Sequence, residues 1–152
     1  MSGFLLDTDV VSLLSPSRAQ ASPSFLDWLD RVDGEGLVFL SAVTVHEIEK
    51  GVALLEGKGA TAKAAGLKAW LAGLLAGYGE KVLGLDAPAA SLSGRLEATA
   101  ILAGHAPGMA DALIAGIAQS HGLIVVTRNA RHFRSFGVHT ATPDEIGGGV
   151  LP

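Results

Sequence analysis

The stretch Phe4-Leu5-Leu6-Asp7-Thr8-Asp9 decides the fold. It begins as a short apolar run, and uninterrupted runs of this kind are typical of strands that are covered on both faces of a parallel sheet. Directly after it, apolar residues recur at helical spacing from Val10 to Leu14, which indicates a change from strand to helix. In open α/β sheets, ligands lie outside the carboxyl ends of the strands. The pattern therefore predicts a buried first strand that places Asp7 at the functional edge of a sheet.

The remainder of the chain alternates predicted strands with predicted helices. Further strands are predicted at residues 37–40, 81–85 and 123–126 with an edge strand at 138–140, and longer helices at residues 23–32, 44–55, 60–77, 86–102 and 109–121. Such alternation predicts a mainly parallel sheet between two layers of helices, an α/β/α sandwich. We expect one domain over residues 1–143, followed by a flexible tail over residues 144–152 that includes three consecutive glycines.

The composition limits the possible functions. The formal net charge of -4, from 11 basic and 15 acidic residues, argues against a large electrostatic contribution to nucleic-acid binding. The hydrophobic content of 49% is high and favours an oligomer or a protein partner, but no uncharged run reaches the roughly 18 to 20 residues of a membrane span. The absence of cysteine suits a reducing cytoplasm. We expect a cytoplasmic protein without a membrane segment.

Basic residues are densest just after the last strong strand. Arg128, Arg131, His132 and Arg134 lie within seven residues of one another. The cluster is either an ordinary solvated loop or a local basic strip that contacts the backbone of a nucleic acid. The sequence favours neither interpretation.

Asp111 is the most informative single residue. Its helix is apolar nearly all round, which predicts burial on most of its faces, and Asp111 is the only carboxylate between Glu97 and Asp144. An isolated buried carboxylate costs several kcal/mol unless it is paired, protonated or bound to a metal. A purely structural role is the alternative, because an acid in the first turn of a helix is stabilising by roughly 0.3 to 1 kcal/mol. Both interpretations remain open.

Three other acids also have structural explanations. Thr44 and Glu47 have the spacing of a capping box, which would begin the helix at residue 44, although Glu47 also lies beside the apolar stripe of that helix. Asp7 and Asp9 both lie where a residue could cap the short helix after the first strand. We assign the capping role to Asp9 and a functional role to Asp7, because Asp7 ends the strand.

The positions of these acids relative to the strands favour a shared site. Asp7 ends the first strand, Glu47 opens the helix after the second, Asp111 opens the helix before the last strong strand, and Thr127-Arg128-Asn129 follows that strand. If the strands that carry Asp7 and Thr127 are neighbours, their oxygens gather at one sheet edge. Mg²⁺ and Mn²⁺ prefer oxygen ligands of this kind, whereas the five histidines show no ligand spacing. The sequence therefore predicts a site for a hard divalent cation.

These same residues resemble the motifs of a known family. Leu5 to Thr8, Ser41 to Ile48, Ala110 to Ala115 and Val126 to Asn129 are similar to the four motifs of PIN-domain ribonucleases, in particular the VapC- or FitB-type toxins of bacterial toxin–antitoxin pairs. The resemblance covers roughly residues 4 to 140, with the motifs in the same order. It implies a PIN-like α/β/α fold, metal-dependent hydrolysis of RNA, a homodimer, and a small antitoxin that blocks the site.

The resemblance also implies roles for individual acids. Asp7, Glu47 and Asp111 match the catalytic, metal-binding acids of the family, with Mg²⁺ or Mn²⁺ as the cation. Thr127 and Asn129 match its fourth motif.

The polar residues beside these acids would support the reaction. Thr8 and Thr127 would donate hydrogen bonds to a scissile phosphate or to a ligating carboxylate, and Arg128 with its basic neighbours would position RNA. Many relatives carry an acid in the fourth motif, either two residues after the threonine or just before the phenylalanine. This chain has Asn129 and His132 there, which leaves open whether one or two metals bind.

Two other functions are compatible with the sequence. One is a phosphatase of the haloacid-dehalogenase kind, because Asp7-Thr8-Asp9 after an apolar strand is similar to the nucleophile motif of that family, although no close acidic pair follows before Asp144-Glu145. The other is a catalytically inactive PIN-like module that binds RNA or a protein partner. The lack of an acid at residues 129 and 132 favours the second.

Overall fold

A sheet of parallel strands forms the centre of the computed structural model, which describes residues 3–16 and 21–150. Within these residues the strands are β1 Phe4–Leu6, β2 Val38–Ser41, β3 Val82–Leu83, β4 Ile124–Val126 and β5 Thr140–Ala141. Their order across the sheet is β3-β2-β1-β4-β5, and every pairing is parallel. The predicted parallel sheet is therefore confirmed. The strands that end beside Asp7 and Thr127, β1 and β4, are neighbours.

Helices connect the strands and cover both faces of the sheet. They are α1 Thr8–Leu13, α2 Pro23–Gly34, α3 Ala42–Gly57, α4 Thr61–Tyr78, α5 Ala87–Leu102, α6 Met109–Ser120, α7 Ala130–Arg134 and α8 Pro143–Gly147. Ser22 and Asp86 cap α2 and α5 through hydrogen bonds from backbone N–H groups three residues later, and a proline lies in the first turn of each helix. No helix in the described part of the chain is long and apolar enough to cross a membrane.

The alternating side chains of β1 divide the apolar interior into two layers. Phe4 and Leu6 belong to a core to which α1, α2, α3, α4 and α8 contribute, whereas Leu5 belongs to a second core, to which α5, α6 and α7 contribute together with the start of α3. Successive side chains of a strand point to opposite faces of the sheet, so the two cores lie on opposite sides of it. The three-layer α/β/α sandwich is confirmed.

A close crossing of α5 and α6 fixes the helix that carries Asp111. A Cβ atom on Gly116 would lie 2.7 Å from the carbonyl oxygen of Ala89 and would overlap the hydroxyl of Ser93. Because only glycine allows the two helix backbones to approach this closely, Gly116 sets how deeply α6 packs. The position of its first turn, with Asp111, follows from that packing.

Two local predictions differ from the structure. The capping box at Thr44 and Glu47 is wrong, because β2 leads directly into α3 and the earlier hydroxyl, that of Ser41, accepts a hydrogen bond from the Thr44 N–H at 3.2 Å. Glu47 therefore lies in the second turn of α3 and has no capping role. In place of a flexible tail from residue 144 there is α8, capped by Thr142 and anchored by the buried side chain of Ile146. The domain boundary at residue 143 stays a prediction.

Candidate active site

Asp7 lies at the carboxyl end of the central strand and is almost completely buried. Its side chain accepts two hydrogen bonds of 2.8 Å, from the Thr8 N–H to Oδ1 and from the Thr127 hydroxyl to Oδ2. Burial is the main reason that the pKa of Asp7 is raised from 3.8 to about 7. The negative charges of Asp9 and Asp111 raise this pKa further, and the two hydrogen bonds oppose the rise. Asp7 is therefore partly protonated near neutral pH unless a cation stabilises its charge.

Hydroxyl groups connect Glu47 to the start of α1. The Thr8 hydroxyl donates to Oε1 of Glu47 at 2.6 Å and lies 2.9 Å from the Thr44 hydroxyl. The Ser41 hydroxyl in turn donates to that of Thr44 at 3.3 Å. The carboxylate of Glu47 is one of the two kinds of partner predicted for Thr8. Thr8 thereby orients Glu47 toward the end of β1.

Asp111 lies in the first turn of α6, as predicted, with its side chain 26% exposed. Burial raises its pKa, and the charges of Glu47 and Asp9 act in the same direction. A contact of 3.3 Å between Oδ2 of Asp111 and Nδ1 of His132 lowers the pKa. Asp111 is therefore an acid in the first turn of a helix, as the structural explanation requires, and it is also paired with another side chain, as a partly buried carboxylate requires. That partner, His132, was not predicted.

The role of Asp9 differs from the one predicted from the sequence. The N-cap of α1 is Asp7, so the capping role assigned to Asp9 is wrong. Its Oδ2 instead accepts hydrogen bonds from the Arg128 N–H at 3.2 Å and the Asn129 side-chain amide at 3.4 Å, and lies 3.7 Å from Nε of Arg128. Its Oδ1 is buried and has no hydrogen-bond partner in the described part of the chain. Only the pairing of β1 with β4 brings these residues together, so no local sequence pattern could reveal the contact.

The segment after β4 supplies both buried and exposed polar groups. Thr127 is fully buried, and its hydroxyl accepts a hydrogen bond from the Asn129 N–H at 2.9 Å in addition to donating to Asp7. Arg131 and His132 are exposed, as are the other basic residues of the cluster, Arg128 and Arg134. A cavity of about 260 Å³ next to Asp111 is lined in part by Arg131 and His132. The basic cluster is therefore accessible beside the acids.

Four carboxylates thus lie at one edge of the sheet and influence one another electrostatically: Asp7, Asp9, Glu47 and Asp111. Within residues 3–16 and 21–150, no group of three or more His, Asp or Glu side chains is arranged to hold a metal ion, and the carboxylates of Glu47 and Asp111 point instead to Thr8 and His132. The chemistry of the donors nevertheless fits a hard divalent cation. All four are carboxylates, their mutual repulsion would be relieved by a positive charge, and one buried oxygen has no protein partner.

The PIN domain family model matches residues 4–138, which include all four predicted motifs. The chain belongs to the PIN-domain family. This PIN-domain protein is 36% identical over 140 residues to Toxin FitB of Neisseria gonorrhoeae (strain ATCC 700825 / FA 1090), a match that covers 91% of the chain and 96% of FitB. It is 35% identical over 142 residues to VapC ribonuclease Y4jK of Sinorhizobium fredii (strain NBRC 101917 / NGR234), covering 93% and 97% of the two chains.

A solved structure supports the same assignment. The crystal structure of FitAcB from Neisseria gonorrhoeae superposes with a TM-score of 0.78 at 34% sequence identity, over 92% of this chain and 97% of that chain. The similarity therefore extends over nearly the whole length of both proteins. The fold and the family that the sequence motifs implied are both confirmed.

Proposed function

We propose that this PIN-domain protein is a divalent-metal-dependent ribonuclease that acts as the toxin of a toxin–antitoxin pair. The observation that carries the proposal is that Asp7, Glu47 and Asp111 lie at the carboxyl edge of the sheet, with Asp111 in electrostatic range of the other two, beside an exposed basic cluster. The near full-length similarity to proteins named as a FitB toxin and a VapC ribonuclease supports it. This family membership also removes the reason to consider a haloacid-dehalogenase-like phosphatase.

Asp7, Glu47 and Asp111 would together hold Mg²⁺ or Mn²⁺. When bound, such an ion neutralises charge on a phosphodiester and activates a water molecule for attack. The chain itself supplies the orientation of the ligands. Asp7 is held by the Thr8 N–H and the Thr127 hydroxyl, and Glu47 by the Thr8 hydroxyl. Side chains that are fixed in this way lose less conformational freedom when they bind a cation or a substrate.

Binding of RNA would rely on local contacts, because the protein carries a net charge of -4. The basic side chains after β4 are exposed next to Asp111 and are suited to contact phosphates. Arg131 and His132 line the cavity beside Asp111, whereas the backbone and side chain of Arg128 are held by Asp9. The basic residues would thus align the RNA backbone with the carboxylates.

We further propose a homodimer and a small cognate antitoxin as partners. Large apolar side chains are exposed at Leu54, Ile101, Leu102 and Met109, with exposed fractions of 56% to 88%, and a protein partner would cover apolar surface of this kind. Similarity to FitB and VapC toxins supports the same partners. A ribonuclease of this kind would meet its substrate in the cytoplasm.

Cleavage of a mixed RNA pool by the purified wild type and Asp111→Asn tests the function. Each protein is assayed with Mn²⁺, with Mg²⁺ and with a chelator. Glu49→Gln is the matched control, because Glu49 is an exposed acid on α3 outside the site. We expect metal-dependent cleavage by wild type and Glu49→Gln, and its loss in a folded Asp111→Asn.

Other outcomes have distinct meanings. A wild type that is inert with both metals contradicts the nuclease and favours the inactive, partner-binding module. Equal activity in wild type and Asp111→Asn removes Asp111 from the site and points to a contaminating nuclease.

A further inference from the structure

The geometry points to a role for Asp9 that its sequence position did not suggest. We propose that Asp9 is a fourth carboxylate of the cation site, whose Oδ2 fixes the segment after β4 and whose Oδ1 is an oxygen ligand for the divalent cation. This inference rests on the proposed metal-dependent function. It extends that function to a residue that neither the spacing of the acids nor the motif resemblance assigned to the site.

The two oxygens of Asp9 have different surroundings. Oδ2 has three contacts with Arg128 and Asn129, at 3.2, 3.4 and 3.7 Å. Oδ1 has essentially no accessible surface and no hydrogen-bond partner within residues 3–16 and 21–150. A carboxylate oxygen that is buried without a partner is unfavourable, because it has lost its hydration and gained nothing in return. A cation at this position would supply the missing interaction.

The location of Asp9 also fits a shared ligand. It lies in the first turn of α1, two residues after Asp7, and the segment that it contacts also carries Thr127, which donates to Asp7, and His132, which contacts Asp111. Asp9 is therefore bound to the same segment as two of the acids that would hold the cation. A divalent cation is stabilised by the same negative charges that repel one another in its absence.

The segment after β4 has no negatively charged side chain of its own. From Thr127 to Ser135 it contains three arginines and one histidine but no acid. Among the described residues, three carboxylates form hydrogen bonds with this segment: Asp7, Asp9 and Asp111. Asp9 contacts it from the end of the site where β1 leads into α1. Asp9 thus brings a negative charge to a part of the site where the local sequence supplies only positive ones.

Calorimetric titration of the intact, RNA-free protein with Mn²⁺ tests the proposal. The variants are Asp9→Asn, which keeps an oxygen that can accept the hydrogen bonds from Arg128 and Asn129, and the exposed-acid control Glu49→Gln, which removes the same charge. Loss of a residue that only hydrogen-bonds to a metal ligand typically weakens metal binding 10- to 100-fold. We therefore expect Asp9→Asn to weaken Mn²⁺ binding by at least about tenfold, and Glu49→Gln to bind as the wild type does.

Titrations at low and high salt separate ligation from a long-range charge effect. Salt screens an interaction between separated charges but has little effect on direct coordination. A loss of affinity in Asp9→Asn that persists at high salt supports the proposal. Affinity equal to that of the wild type, or a difference that disappears at high salt, overturns it and leaves Asp9 as an anchor of the loop alone.

Asp111→Asn distinguishes failure of this inference from failure of the proposed function. If the wild type binds Mn²⁺, Asp111→Asn does not and Asp9→Asn does, the metal-dependent function stands and only the role of Asp9 is wrong. If the wild type itself binds no Mn²⁺, both fail together. Thermal unfolding of each variant without metal checks that the comparison is made between folded proteins.

Discussion

Replacing Asp7 by asparagine tests the electrostatics of the site directly. In the folded protein the pKa of Asp7 is raised to about 7, so its side chain stays protonated to near neutral pH, whereas in the unfolded chain it ionises near 3.8. Between these values the folded state binds one more proton than the unfolded state. The stability that this proton provides is fully present below pH 4 and is lost as pH rises to about 7.

The size of the effect follows from the same two values. A difference of about three pKa units, at 1.36 kcal/mol each, corresponds to about 4 kcal/mol. Asparagine resembles the protonated acid but does not titrate. We therefore expect Asp7→Asn and the wild type to have similar free energies of unfolding near pH 4. At pH 8 in the absence of metal, Asp7→Asn should be more stable by up to about 4 kcal/mol.

Urea denaturation in the presence of a chelator measures this difference, with the fluorescence of the buried Trp28 as one probe. The difference between wild type and Asp7→Asn at each pH reports the titration of Asp7 together with its electrostatic coupling to Asp9 and Asp111, because the more distant groups titrate alike in both proteins. Glu49→Gln, at an exposed position, should show no such pH-dependent difference. A wild type that becomes more stable relative to Asp7→Asn as pH rises would refute the reasoning, since it would mean that the folded protein favours the ionised form of Asp7.

Two further predictions concern orientation of the ligands and packing of the helices. Thr8→Val removes the 2.6 Å hydrogen bond to Glu47, so the rate of metal-dependent RNA cleavage should fall while the protein stays folded. Thr8→Ser retains the hydroxyl and should keep most of the wild-type rate. Equal cleavage rates for the two variants would contradict the role of Thr8. Gly116→Ala places a methyl group against the carbonyl of Ala89 and should destabilise the protein by roughly 1 to 3 kcal/mol, measured by urea denaturation. Gly73→Ala is its control, because it lies within α4 with open space around it and should be stabilising by roughly 0.5 to 1 kcal/mol; similar effects of both substitutions would show that the helix crossing is not tight.

The sequence was most informative where one local signal had one interpretation. The apolar run before Asp7 predicted β1, and Ser22-Pro23 predicted the start of α2. Ser41 and Thr44 are both residue types that can cap a helix. The structure selects Ser41, because Ser41 pairs with Leu83 as the last residue of β2 and α3 begins directly after it. Such a choice depends on tertiary structure and cannot be made from the local sequence.

Other features were missed for different reasons. Thr142-Pro143 carries the same helix-start signal as Ser22-Pro23, but the glycines that follow favoured a tail, and the burial of Ile146 in the core that contains Phe4 and Leu6 could not be foreseen. The contact between Asp9 and Arg128 joins residues 119 positions apart. It depends on β1 and β4 being neighbours. The local sequence does not determine which strands are neighbours in a sheet.

The order of the strands has a consequence for the protein during its synthesis. β1 is made before the other strands of the sheet, yet one of its two neighbours, β4, is made more than a hundred residues later, and the Thr127 hydroxyl that holds Asp7 follows it. Chains emerge and begin to fold from the N-terminus, so a nascent chain contains Asp7 and Glu47 long before it can close the sheet around them. The proposed ribonuclease would therefore gain its site only after Thr127 has been made, which leaves time for the proposed antitoxin to be present when the site forms.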